Sequence, residues 1–219
     1  MIRAILFDLD GTLIDTWNLY IETYLRTLEP YVGHRLSLEE LRALHPTSEM
    51  RALHRVVPPG EAQQAHTVFL DHYRRLHLEL FGGIYPGVSA LLDALRTRPL
   101  ALGLVTGKSR GAWEITRAAA DLGPFDVFVG DDDVQDAKPS PEGLVLALQR
   151  LGVPPAEAVY VGDSPNDAAA ARDAGMRYAA ALWAKSSEER PGFVARVREV
   201  GLWAELPEPA HLLPRLNGP

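Results

Sequence analysis

Residues 2–15 read IRAILFDLDGTLID, an apolar run that ends in two acidic residues separated by one leucine. The run from Ile2 to Phe7 is mostly aliphatic and predicts a buried β-strand. Asp8 and Asp10 then lie at the carboxyl end of this strand, and Gly11 permits the chain to turn away at once. Ligands bind at this edge in open α/β sheets. Two neighbouring carboxylates repel each other unless a cation or a proton is present, so we interpret the stretch as part of a reactive site.

The bulk composition limits the class of protein. A chain of 219 residues with 47% hydrophobic residues is long enough for one core domain with an insert, or for two small domains. The net charge of −7 argues against a nucleic-acid partner, which usually requires a basic face. The lack of cysteine excludes disulfides, thiolate metal sites and cysteine nucleophiles. No signal-peptide pattern or bilayer-spanning run is found, and we expect a cytoplasmic monomer or homodimer without a membrane partner.

Strand and helix patterns alternate after residue 86. Aliphatic runs predict strands, and segments with helical periodicity between them predict helices. This alternation is typical of βαβ units, so we predict an α/β fold with a Rossmann-like parallel sheet. The C-terminal tail, residues 186–219, predicts short helices packed on the core. The predicted strands cover residues 100–105, 126–129, 158–161 and 177–182, and the predicted helices cover residues 109–122, 141–151 and 165–174.

Residues 16–83 have a different pattern, with apolar residues at helical spacing and no strand-like run. Proline and glycine, among them Pro30, are expected to interrupt this stretch. Asp15 and Thr16 are predicted to cap its first helix. We therefore predict an inserted α-helical domain of about four helices at 16–83, and an α/β core domain formed by residues 1–15 and 84–219.

Four segments of the predicted core end in polar residues. The carboxyl ends of parallel strands meet at one edge of a sheet, so these residues are expected to converge on one crevice. Together they would supply acids, a hydroxyl group and a cation. They are Asp8 and Asp10 after the first strand, Thr106 after the second, Lys138 before a helix, and Asp163 and Asp167 after the strand at 158–161.

This set of motifs, in this order, resembles the haloacid dehalogenase (HAD) superfamily, in the phosphatase branch that carries an inserted helical cap domain. The motifs are DLDGT at 8–12, the hydroxyl of Thr106, the pair Lys138-Pro139 and GDSPND at 162–167. The resemblance covers nearly the whole chain, and the members most resembled are phosphoglycolate phosphatases and pyrophosphatases. It implies hydrolysis of a small phosphorylated metabolite, as a phosphate monoester or pyrophosphate, with Mg²⁺ as cofactor and through an aspartyl-phosphate.

The resemblance also implies roles for the acidic residues. Asp8 would be the nucleophile that attacks phosphorus, and Asp10 the acid that protonates the leaving oxygen and later activates water. Mg²⁺ prefers hard oxygen ligands, which Asp8, the Asp10 carbonyl, Asp163 and Asp167 would provide. A structural alternative is that Asp163 or Asp167 only caps the helix that follows.

The phosphoryl group would be bound by Thr106 and the amide of Gly107. Lys138 would neutralise both the nucleophile and the phosphoryl group, as a compact point charge does well. The alternatives are a plain strand-end threonine and a solvated loop lysine. Lysine is scarce in this chain, which favours a function for Lys138: the only others are Lys108 and Lys185.

Substrate specificity is expected in the insert. The resemblance places a substrate-facing loop near residues 45–49, and we take His45, Glu49 and Arg51 as candidate specificity residues. Relatives that act on phosphoglycolate or pyrophosphate usually show a Gly-x-Pro-Leu stretch there. Only Pro46 is retained in this chain, which weakens the match, and phosphoglycolate and pyrophosphate stay the substrates most resembled.

Three other functions are considered. The resemblance to β-phosphoglucomutases is weakened, because the stretch that matches the one with their inserted-domain arginine reads PTSE at 46–49, although Arg51 or Arg55 could substitute. A nucleotide-binding P-loop is disfavoured, because residues 103–109 have three residues between the two glycines where the motif has four. A non-catalytic binding protein would have no reason to retain Asp8 and the other candidate catalytic residues together.

Overall fold

The computed structural model describes residues 1–44 and 48–216, and these ranges contain eight strands and ten α-helices. The strands are β1 (Ala4–Phe7), β2 (Ile14–Asp15), β3 (Gly83–Ile84), β4 (Ala101–Val105), β5 (Val127–Val129), β6 (Ala158–Gly162), β7 (Arg177–Ala181) and β8 (Ala204–Leu206). The helices are α1 (Trp17–Val32), α2 (Leu38–Ala43), α3 (Glu49–His54), α4 (Ala62–Leu80), α5 (Val88–Arg96), α6 (Arg110–Ala119), α7 (Glu142–Leu151), α8 (Pro165–Asp173), α9 (Glu189–Val200) and α10 (Leu212–Arg215).

Six strands form a parallel sheet in the order β5-β4-β1-β6-β7-β8. All four residues of β1 are fully buried, which explains why this strand is a continuous apolar run. Phe7 lies opposite Leu104 in β4 and opposite Val161 in β6, so these three strands end at the same edge. Helix α7 packs on β4 and β5, and α8 packs on β6 and β7. The predicted α/β, Rossmann-like fold is confirmed.

Backbone contacts divide the chain into two units. The α/β unit comprises Met1–Asp15, Ile84–Thr106 and Leu122–Pro219, and the helical unit comprises Thr16–Gly83 and Gly107–Asp121. Segment 107–121 was expected in the α/β core, but its helix α6 packs on α4 and is grouped with the helical unit. The domain boundaries drawn from the sequence stay a prediction.

The helical unit is built on the long helices α1 and α4, which pack along each other, with α3 and α6 against α4. Its apolar core contains Leu28, Phe69 and Tyr73, all fully buried. The expected interruption at Pro30 is wrong, because α1 continues through this residue. Proline removes one helical hydrogen bond here, in the last turn, and the helix then ends at Gly33. Thr16 occupies the N-cap position, but its side chain makes no capping hydrogen bond.

The C-terminal tail contains an element that the sequence analysis missed. Helices α9 and α10 agree with the expectation of short helices, but β8 between them adds a sixth strand beside β7. With three residues, β8 is too short for a periodic pattern to show. Within residues 1–44 and 48–216, none of the helices combines the length and apolar character needed to cross a bilayer.

Candidate active site

The first candidate residue, Asp8, directly follows β1 at the carboxyl edge of the sheet. Its backbone N–H donates to the carbonyl of Val161 at 2.9 Å, which extends the β1–β6 pairing by one residue. Asp163 follows the end of β6, and Thr106 follows the end of β4. The N–H of Thr106 donates to the carbonyl of Val129 at 3.0 Å. The parallel topology therefore brings these three residues to one edge of the α/β unit.

Lys138 joins two of the predicted acids. Its Nζ donates to Oδ1 of Asp8 at 2.8 Å and to Oδ1 of Asp167 at 2.6 Å. A third bond, at 2.8 Å, goes to the hydroxyl of Tyr160, which itself donates to the carbonyl of Val105 at 3.0 Å. Only 14% of the Lys138 side chain is exposed, which excludes the alternative of a solvated loop lysine.

Asp167 caps helix α8 with one carboxylate oxygen and contacts Lys138 with the other. Its Oδ2 accepts hydrogen bonds from the N–H of Ser164 at 3.0 Å and from Oγ of Ser164 at 2.6 Å, which completes a capping box at the start of α8. Its Oδ1 faces Lys138. A Cβ on Gly162 would lie 2.7 Å from Oδ2 of Asp167, so only glycine leaves room for this carboxylate. Capping fixes the rotamer of Asp167 and presents its second oxygen to the cluster.

Asp163 is held by residues from two distant segments. Its Oδ2 accepts a hydrogen bond from Nζ of Lys185 at 2.7 Å, and its Oδ1 accepts one from Oγ1 of Thr12 at 3.3 Å. Nε1 of Trp183 donates to the carbonyl of Thr12 at 2.8 Å, which fixes this turn. Lys185 was not among the predicted site residues. The scarcity of lysine in the chain was the one signal that pointed to it.

The carboxylates of Asp8, Asp163 and Asp167 form a candidate site for a cation. Their ligand atoms all lie within 4.8 Å of one another. An all-oxygen donor set of this kind suits a hard divalent cation such as Mg²⁺. Asp10, whose backbone carbonyl was predicted as a further ligand, is half-buried, and its backbone forms a β-bridge with Ile14. The residues present therefore fit the cofactor expected from the sequence.

Burial is the main cause of the raised pKa values of Asp8 and Asp163. Burial raises the pKa of Asp8 to about 8; Lys138 lowers it, and the charges of Asp167 and Asp163 raise it again. Burial also raises the pKa of Asp163, against the effect of Lys185. Burial opposes the charge on Lys138, but Asp167 and Asp8 prevail and raise its pKa. A bound cation would relieve the repulsion among the carboxylates.

The remaining predicted residues have different surroundings. Thr106 is 5% exposed and lies at the carboxyl edge of the sheet, as expected. Gly107, predicted as an amide donor to phosphate, begins the segment grouped with the helical unit. Arg51 lies in α3 and is half-buried. His45 lies outside the described residues.

Glu49 is part of a buried polar network inside the helical unit. Only 1% of this residue is exposed. Its Oε1 accepts a hydrogen bond from the Tyr20 hydroxyl at 2.5 Å, and its Oε2 lies 3.0 Å from Nε2 of His66. Lys108, also 1% exposed, donates from Nζ to the hydroxyls of Tyr20 at 2.9 Å and Tyr73 at 2.8 Å. These contacts give Glu49 a structural role, and its part in substrate specificity stays a prediction.

Comparisons with known proteins agree with this architecture. The family model of the haloacid dehalogenase-like hydrolases matches residues 5–181. The pyrophosphatase PpaX of Bacillus velezensis is 36% identical over 187 residues, which cover 83% of this chain and 84% of the relative.

Solved structures of CbbY from Rhodobacter sphaeroides are also similar. The complex with phosphate aligns with a TM-score of 0.79 and 29% identity over 97% of this chain and 96% of CbbY. A mutant in complex with xylulose-(1,5)-bisphosphate aligns with a TM-score of 0.73 and 31% identity over 82% and 86% of the two chains.

Proposed function

Because the chain belongs to the haloacid dehalogenase-like hydrolases, we propose that it is a Mg²⁺-dependent phosphatase that acts on a small phosphorylated metabolite or on pyrophosphate. The observation that carries the proposal is the contact of Lys138 with both Asp8 and Asp167 at the carboxyl edge of the sheet. Phosphoryl transfer needs a nucleophile, an acid for the leaving oxygen and positive charge around the phosphoryl oxygens. The α/β unit contains residues for each of these requirements.

Asp8 is the proposed nucleophile. One of its carboxylate oxygens forms a bond with phosphorus while the bond to the leaving oxygen breaks, and an aspartyl-phosphate results. Burial opposes the ionised form of this carboxyl group, and the ammonium group of Lys138 favours it. Lys138 thereby favours the ionised, nucleophilic form of Asp8 and adds positive charge beside the incoming phosphoryl group.

Asp10 is the proposed general acid and base. In the first step its carboxyl group gives a proton to the leaving oxygen, which departs as an alcohol or, from pyrophosphate, as phosphate. In the second step the carboxylate takes a proton from a water molecule. The oxygen of this water attacks phosphorus, the bond to Asp8 breaks, and phosphate leaves. Asp10 ends the cycle protonated, as it began.

The cation would be held by the carboxylates of Asp8, Asp163 and Asp167 together with the carbonyl of Asp10. When bound, Mg²⁺ supplies positive charge that favours the ionised carboxylates and neutralises the phosphoryl group. The hydroxyl of Thr106 would donate to a phosphoryl oxygen from the end of β4. These residues would bind the transferred phosphoryl group.

The descriptions of two similar proteins support a substrate with a second phosphoryl group for this chain. PpaX is named as a pyrophosphatase, and a mutant of CbbY is seen with a bisphosphate. The test is phosphate release from pyrophosphate, phosphoglycolate, xylulose 1,5-bisphosphate and β-glucose 1-phosphate, each with Mg²⁺ and with EDTA. Release that requires Mg²⁺ supports the proposal, and the fastest substrate identifies the leaving group. Conversion of β-glucose 1-phosphate to glucose 6-phosphate without phosphate release would contradict it in favour of a mutase.

A further inference from the structure

Lys185 forms an ion pair with Asp163, whose carboxylate the proposed function assigns to a cation. Its ammonium group donates to Oδ2 of Asp163 at 2.7 Å, while Thr12 donates to Oδ1 at 3.3 Å. The two charged side chains are 21% and 17% exposed, so water screens their attraction only in part. Both oxygens of Asp163 therefore already have donors of their own.

The surroundings of Lys185 hold it in this place. It follows the end of β7 by four residues, and its backbone N–H donates to the carbonyl of Leu182 at 3.1 Å. Nε of Arg190 donates to the carbonyls of both Leu182 and Lys185 at 3.1 Å. Nζ of Lys185 also lies 5.1 Å from the ring centroid of Phe193. The hydrogen bonds from α9 thus hold this loop in place, and the contacts of the Lys185 side chain hold it against Asp163.

The contact between Lys185 and Asp163 changes the charge balance of the carboxylate cluster. Once Asp8 is ionised, three carboxylates and two ammonium groups, those of Lys138 and Lys185, leave one net negative charge in the cluster. An ammonium group that bonds a ligand oxygen competes with a divalent cation for the same lone pairs. Lys138 faces Asp8 and Asp167, whereas Lys185 is bonded to Asp163.

We propose that Lys185 is a positioning residue that neutralises Asp163 while the site lacks a cation and is displaced from this carboxylate when Mg²⁺ binds. The contact then weakens the affinity of the site for Mg²⁺ and stabilises the cation-free protein. The ammonium group keeps its protons throughout, and only its hydrogen bond to Oδ2 breaks. The inference rests on the proposed function, because it takes Asp163 as a ligand.

The test is calorimetric titration of MgCl₂ into the purified full-length chain and its variants, without substrate. Lys185→Met keeps the aliphatic stem beside Phe193 and removes the ammonium group. Loss of one charge-assisted hydrogen bond that opposes binding predicts about tenfold tighter binding of Mg²⁺. Lys185→Arg retains the charge and is expected to stay within about threefold of the wild type.

Two controls separate this effect from net charge and from misfolding. Arg198→Met removes a cation whose partner is Glu205, and it should leave the affinity unchanged. The midpoint of thermal unfolding, measured with EDTA and with Mg²⁺, shows whether each variant is folded. For Lys185→Met we expect a lower midpoint in EDTA and a larger upward shift with Mg²⁺. Loss of a purely structural lysine would lower the midpoint but would not enlarge the shift with Mg²⁺.

The outcomes distinguish this inference from the proposed function. Unchanged or weaker binding in a folded Lys185→Met variant, while Asp163→Asn loses Mg²⁺ binding, would overturn the role of Lys185 and leave the cation site intact. A wild-type chain that binds no Mg²⁺, or an Asp163→Asn variant that binds it normally, would overturn the proposed cation site and this inference with it.

Discussion

Gly11 lies so close to Asp163 that a Cβ at this glycine would be 2.6 Å from Oδ2 of the carboxylate. The φ angle of Gly11 is +77°, a conformation that other residues adopt at a cost of about 1 kcal/mol. Gly11→Ala should therefore displace Asp163 as well as strain the backbone. We expect loss of Mg²⁺ binding and a decrease of about 2–3 kcal/mol in the free energy of unfolding. Calorimetry and urea unfolding measure the two effects.

The matched control is Gly152→Ala. Gly152 also has a positive φ, of +64°, but no atom lies within 4 Å of the position that its Cβ would take. This variant should show only the backbone strain, about 1 kcal/mol, with normal Mg²⁺ binding. Equal Mg²⁺ affinities in the two variants would contradict the close-approach argument.

Asp8→Asn removes the proposed nucleophile and retains the shape of the side chain. Turnover should fall by at least about 10³-fold, because the amide cannot form the aspartyl-phosphate. The midpoint of thermal unfolding in EDTA should not fall, since the buried, repelled carboxylate is removed. Phosphate release and thermal unfolding test this, with Asp173→Asn at an exposed position as the control. Near-normal turnover in Asp8→Asn would exclude the mechanism.

Asp10→Asn removes the proposed general acid, and its backbone carbonyl is unchanged. We expect turnover to fall by about 10²- to 10⁴-fold, the usual contribution of a positioned acid and base. The affinity for Mg²⁺ should stay within about threefold of the wild type, because the backbone carbonyl and not the side chain is the proposed ligand. Calorimetry and phosphate release on the same preparation separate the two roles, and a large loss of Mg²⁺ affinity would assign the carboxylate itself to the cation.

Mg²⁺ binding should strengthen as the pH rises from 6 to 8. Without a cation the pKa of Asp8 is about 8, so below this pH a proton must leave before the carboxylate becomes a ligand. One released proton makes the apparent affinity up to about tenfold tighter per pH unit, levelling off near pH 8. Calorimetry in buffers of different ionisation enthalpy counts the proton directly. A pH-independent affinity would show that Asp8 is already ionised.

The raised pKa of Asp8 also predicts how the stability of the cation-free protein changes with pH. A carboxyl group with a higher pKa in the folded than in the unfolded chain binds more protons when folded. The free energy of unfolding should therefore fall as the pH rises from the ordinary aspartate value, about 4, to about 8. Unfolding in EDTA should show this decrease, and Asp8→Asn should lessen it.

Removal of one charge from the buried network of the helical unit should lower the free energy of unfolding more than removal of two charges. Lys108→Met leaves the carboxylate of Glu49 buried with less compensation, which should cost about 3 kcal/mol of unfolding free energy. Adding Glu49→Gln should recover part of this loss, because the uncompensated charge is removed too. Urea unfolding of the two single variants and the double variant measures this coupling. Strictly additive effects would show that the two charges act independently.

The sequence predicts the cluster around Asp8 because its members follow strands or precede helices of a regular α/β pattern. Parallel topology then brings distant segments to one edge without further information. Lys185 belongs to no such pattern. It lies in an irregular loop beyond β7, and its contact with Asp163 depends on how α9 fastens that loop. Lysine is scarce in the chain, but no spacing rule relates Lys185 to Asp163.

Glu49 illustrates a second limit. From the sequence it is an acidic residue in an expected substrate loop, whereas in the structure it is buried with His66 and near Lys108. These partners lie 17 and 59 residues away along the chain, on α4 and in the segment before α6. Local pattern therefore predicts that helices form here, but not which of their polar residues are turned inward.

The distribution of cations in the chain has a practical consequence for protein chemistry. Arginine supplies the exposed ion pairs of Arg3, Arg26 and Arg75, while each of the three lysines lies in a shielded polar network. Acylating reagents that react with lysine amines will therefore find few accessible targets on the native molecule. Where such a reagent does modify a lysine, it removes a charge from one of these networks, so mass spectrometry of the first acylated residue can be paired directly with residual activity.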